Sequence, residues 1–97
     1  MQMLIVGEEP DEIKYFSLGL ASKLITQNQW GIPVDGIHSE TLRRAYRDHP
    51  EHGVHIGRDV FFTVKNLEQL SYRVDENKYH IPDEFVVRLN GRELVRK

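Results

Sequence analysis

From Ile13 onward the apolar side chains recur at positions 13, 16, 20 and 24, with Ala21 and Ile25 beside them. That is the spacing of one helical face, and it predicts a helix over about 11–27 with Asp11 as N-cap. Met1–Val6 is short, apolar and closed by Gly7, which predicts a short N-terminal strand, and Glu8–Pro10 reads as a loop. Gly19 inside the helix costs about 1 kcal/mol relative to Ala and marks a close helix crossing. Gln27–Ile37 holds Gly31, Pro33, Gly36 and the only tryptophan. It reads as an ordered loop with Trp30 capping the core.

A second helix follows. Ser39 is its predicted N-cap, Glu40 suits the first turn, and the helix stops before Pro50. Leu42, Ala45 and Tyr46 share one face, and Arg43, Arg44 and Arg47 project from the others. Val54–Val64 alternates on both sides of Gly57-Arg58-Asp59, the pattern of a hairpin. By alternation with Val60 and Val64, Phe62 faces the core and Phe61 the opposite side. Asn66 caps a third helix with Leu67, Leu70 and Val74 inward. The tail, Glu84–Arg96, reads as a second hairpin around Asn90-Gly91, with Arg88 opposite Glu93 and Val87 opposite Leu94. The order is β-α-α-β-β-α-β-β, a single small α+β domain over residues 1–97.

Composition narrows the chemistry. The 97 residues include no cysteine, which excludes disulfides, thiolate catalysis and cysteine-ligated metal. Apolar runs are short, as at Leu4–Val6, so neither a membrane span nor a signal-peptide core is expected, and the expected compartment is the cytoplasm. The net charge of −2 is not that of a basic nucleic-acid binder, but its distribution is uneven. Residues 1–37 carry two basic and five acidic side chains; residues 38–73 carry six basic and five acidic. Three of those cations, Arg43, Arg44 and Arg47, fall within one helix.

The central motifs are short and ordered. Ala21-Ser22-Lys23-Leu24 lies in the first helix and Thr41-Leu42-Arg43-Arg44 in the second. Gly53-Val54-His55-Ile56-Gly57-Arg58-Asp59-Val60-Phe61-Phe62 forms the hairpin, and Leu67-Glu68-Gln69-Leu70 lies in the third helix. Over roughly residues 16–74 this series resembles the winged-helix DNA-binding domains of excisionases and MerR-type regulators. The resemblance implies a winged-helix-like fold, here with an added N-terminal strand and C-terminal β-hairpin. It implies a recognition helix at about 39–48 and a wing at about 54–64. Arg43, Arg44 and Arg47 then lie on the recognition helix and Arg58 at the wing tip, with double-stranded DNA as the partner. The link at about 27–38 is longer than a normal helix-turn-helix turn.

Independently of any family, a helix some 10–12 Å across fits a major groove, where arginines reach phosphates or pair bidentately with guanine. The bland alternative is a solvated face on which these arginines pair with Glu40, Asp48 and Glu51. His49, His52 and His55 recur at every third residue, but Pro50 and Gly53 interrupt the segment, so no metal site and no cofactor is expected. Histidines near arginines do offer added positive charge below about pH 6.5. There is no phosphate loop, no G-x-S-x-G elbow and no nominable carboxylate pair, so an enzyme is not expected. The leading expectation is a small DNA-binding regulator or architectural protein of the phage or mobile-element kind, acting as a homodimer or with a partner protein. The alternative is a protein-binding module or inhibitor that uses the acidic stretch Glu8–Glu12 or an edge strand.

Overall fold

The computed structural model describes residues 2–89. Strands β1 (Met3–Val6) and β2 (Ile13–Ser17) form an antiparallel hairpin in which Leu4 faces Tyr15 and Met3 faces Phe16. Helix α1 (Leu18–Leu24) starts directly from β2, and β3 (Ile25–Gln27) starts directly from α1. Helix α2 (Ser39–Asp48) leads through a short 3-10 turn at Pro50–His52 into the hairpin β4 (Val54–Ile56) and β5 (Asp59–Phe62). Helix α3 (Val64–Gln69), β6 (Arg73–Val74), a 3-10 turn at Asp83–Phe85 and β7 (Val86–Leu89) complete the described chain.

The main sheet has the order β4-β5-β2-β1-β7, with β7 parallel to β1 and the other pairs antiparallel. A separate pair, β3 and β6, joins Ile25 to Val74. The fold is thus α+β, a mixed sheet with three helices among the described residues. None of those helices is long and apolar enough to cross a membrane.

The helix expected over 11–27 is corrected to strand, helix, strand. Ile13-Lys14-Tyr15-Phe16 is β-branched or aromatic at three of four positions and supplies an inner strand bonded to both β1 and β5. The helix begins only where Ser17 accepts the Leu20 N–H at 3.3 Å, so Ser17 is the cap and not Asp11. The spacing 13, 16, 20, 24 matches a helix because Phe16 from the strand and Leu20 and Leu24 from α1 enter the same core. Gly19 marks no crossing: a Cβ there would meet nothing within 4 Å.

Other local expectations shift by one or a few residues. His38, not Ser39, caps α2, its Nδ1 accepting the Glu40 N–H at 3.1 Å. Thr63 caps α3, and Asn66 is the reciprocal partner: Thr63 Oγ1 accepts the Asn66 N–H and Asn66 Oδ1 the Thr63 N–H. Leu67 and Leu70 point inward as expected, while Val74 belongs to β6. Trp30 is no core cap. It is 74% exposed, because Asn28 Oδ1 accepts from the N–H groups of both Trp30 and Ile32 and holds the loop in a turn of its own. The tail hairpin around Asn90-Gly91 lies outside the described residues.

The core gathers Phe16, Leu20, Leu24, Ile25, Leu42, Phe62, Leu67 and Tyr72 between the helices and one sheet face. Phe61 and Phe62 alternate across β5 as expected, yet both are buried, at 1% and 0% exposure. Phe62 belongs to this core and Phe61 to the opposite face, which is therefore buried too. Leu4 shares that face with Phe61 through the Leu4–Tyr15 and Ser17–Phe61 registers, and it is buried as well.

Candidate nucleic-acid interface

Helix α2 divides into two faces. Leu42 is fully buried and Ala45 and Tyr46 are half-buried against the core, whereas Arg43, Arg44, Arg47 and Asp48 are exposed. The helix is locked to the hairpin by Tyr46. Its ring meets Phe62 edge to face and lies 6.3 Å from the His55 ring at 72°. Gly53 sits under that ring, where a Cβ would come within 2.5 Å of Tyr46 Cδ1. The hairpin turns at Gly57, whose φ of +63° suits glycine, and carries Arg58 exposed at its tip.

Between these elements lies a cleft of about 380 Å³, lined by polar and apolar side chains alike. Arg43 and Tyr46 from α2, His55 from β4, Arg58 from the turn and Asp59 from β5 line it, with Ser17 and Gly19 on the α1 side. Arg43 and Arg58, 15 positions apart in sequence, thus come to one concavity. Arg44 and Arg47 do not line it, although they lie on the same helix.

Electrostatically the arginines are only lightly engaged. Arg43 Nε lies 3.4 Å from Glu40 Oε2 and Arg47 Nη2 lies 3.9 Å from Glu40 Oε1, so one carboxylate serves two guanidinium groups. All three side chains are about half exposed or more, and such pairs contribute little, about 0–1 kcal/mol. The ion pairs of the described residues do not include Arg44 or Arg58. Glu51 pairs with histidines instead, at 3.5 Å from His49 Nδ1 and 3.7 Å from His52 Nε2. A hydrogen bond from its own backbone N–H, and then these two imidazoles, hold its carboxyl below the usual carboxylate range.

The three central histidines diverge. The His49 and His52 rings stand 6.0 Å apart beside Glu51, while His55 is turned to Tyr46 and the cleft. Among the described residues no group of three or more histidines or carboxylates is placed to hold a metal ion. His49 and His55 are exposed and His52 is half-buried, so all three are surface residues. The hairpin register sets His55 opposite Val60, on the face of Phe62. No protein-family model, no curated protein and no solved structure matches this chain.

Proposed function

We propose that this chain is a small DNA-binding protein, a regulator or architectural factor built on an expanded winged helix, with α2 as recognition helix and the β4–β5 hairpin as wing. The observation that carries the reading is the meeting of Arg43 from the helix and Arg58 from the hairpin turn in one cleft. A backbone that follows a groove presents phosphates to a helix and to a neighbouring hairpin at once, and cations on both engage them together. The helix order α1, α2, hairpin, α3 supports the same reading, while β3 and the loop after it make the α1–α2 link longer than a helix-turn-helix turn.

Four arginines are few. Counterion release then gives a log–log salt slope of roughly −3 to −4, so binding is weak in a monomer and strengthened by dimerisation. The test is a band-shift titration at low and moderate salt with the wild type and an Arg43, Arg44, Arg47, Arg58→Ala variant. Loss of binding in a folded variant supports the reading, and unchanged binding refutes it. A protein-binding role is favoured by one observation: Trp30 and Ile32 are 74% and 55% exposed on a hydrogen-bonded loop. A pull-down lost on Trp30→Ala but kept by the quadruple arginine variant identifies that role.

A further inference from the structure

We propose that His55 is a third, titratable anion contact in the cleft, so that one DNA backbone phosphate is held there more firmly at about pH 6.0 than at about pH 8.0. The inference rests on the DNA-binding reading of the same cleft.

The five histidines have different surroundings. His38 spends its Nδ1 capping α2. His49 and His52 face Glu51. His80 lines a separate cleft in which Lys14 and Arg88 are outnumbered by Glu9, Glu12, Glu76 and Asp83. His55 alone among them shares a cavity with two arginines.

The charges facing His55 come from each element packed around it. Helix α2 contributes Arg43 and the neutral Tyr46, with Glu40 behind Arg43. The turn contributes Arg58, and β5 contributes Asp59. The α1 side contributes no charge, and the Ser17 hydroxyl there accepts the Leu20 N–H.

With His55 neutral, the cleft lining holds two cations against one carboxylate. With an imidazolium it holds three. The net charge seen by an anion in the cleft therefore doubles when one proton is added. A phosphate between the three groups favours the imidazolium. Proton uptake and phosphate binding are thus coupled, each favouring the other by the same factor.

The experiment is fluorescence anisotropy of a labelled duplex at pH 6.0 and 8.0, at constant ionic strength, with wild type, His55→Gln and His49→Gln. The wild type should bind roughly three- to tenfold tighter at the lower pH, with a salt slope steeper by about 0.9. His55→Gln should bind equally at both pH values, and His49→Gln should keep the wild-type response. A ring-proton titration by NMR should show the His55 pKa rising when duplex is added. Binding that is present but insensitive to pH, or a pH response that survives in His55→Gln, overturns the inference and leaves the DNA reading standing. Absence of duplex binding at both pH values overturns both.

Discussion

The Tyr46 and Phe62 rings meet edge to face, with centroids 5.9 Å apart and planes at 87°. This contact sets the angle between α2 and the hairpin, and therefore sets where Arg43 stands relative to Arg58. Gly53 is part of the same arrangement. A methyl group there would fall 2.6 Å from Tyr46 Cε1 and 3.2 Å from Phe62 Cε2, and the half-buried Tyr46 ring has to move. Gly53→Ala should cost about 1–3 kcal/mol, read as a fall in melting temperature. A variant as stable as the wild type refutes the account of this packing.

The two phenylalanines of β5 give a second stability test. Phe62 lies in the core between sheet and helices, and Phe61 lies across the strand with Leu4 on its face, each almost fully buried. Phe62→Ala and Phe61→Ala should each cost about 3–5 kcal/mol by chemical denaturation. A loss under 1 kcal/mol at Phe61 would show that its face opens to water in solution.

How much of this was legible in the sequence depends on how local the deciding signal is. Helix α2 could be read because Glu40 opens it and Pro50 ends it. The hairpin could be read because Val54–Ile56 and Asp59–Phe62 flank a glycine that accepts a positive φ. The segment 13–25 could not, because its fate is decided by partners elsewhere: β2 is held between β1 and β5, and β3 pairs with Arg73–Val74. Trp30 was misplaced for a related reason, since the Asn28 turn holds the loop outward and outweighs the ring's preference for burial. For the site, the arginines of α2 and Arg58 were visible as residue types. Their convergence was not, because it depends on Tyr46 packing against a hairpin that starts eight residues later.

Tyr72 supplies the alkaline end of the stability profile. Its side chain is buried, its hydroxyl donates to Gln29 Oε1 at 3.2 Å, and burial pushes its pKa above the ordinary tyrosine value. A folded-state pKa above the unfolded one means stability fully present below about pH 10 and lost as the pH rises through the folded value. Tyr72→Phe should therefore show a shallower loss of stability between neutral and strongly alkaline pH, measured by urea titration at each pH. An identical decline in both proteins would show that other groups account for it.

The last prediction concerns Glu40, the carboxylate shared by Arg43 and Arg47. On a solvated face Glu40 has no role beyond its place in the first turn of α2, where a negative charge stabilises the helix by about 0.3–1 kcal/mol. On a DNA-binding face it competes with phosphates for the same two guanidinium groups and repels the backbone directly. The two readings therefore differ in sign. Glu40→Gln keeps the side-chain length and removes the charge, so it should lower stability slightly while tightening duplex binding. Removal of one repulsive charge and release of two arginines should strengthen binding by about 1 kcal/mol, or roughly fivefold, at low salt, with the gain shrinking as salt rises. Arg58→Ala should act the opposite way, weakening binding to all sequences alike and reducing the salt slope by about one. Arg44, in the N-terminal half of α2 and outside the cleft, is the candidate for reading bases. There, alanine should relax sequence preference at a cost of about 1–3 kcal/mol. If Glu40→Gln folds and leaves duplex affinity unchanged across salt, the arginine face of α2 does not meet DNA.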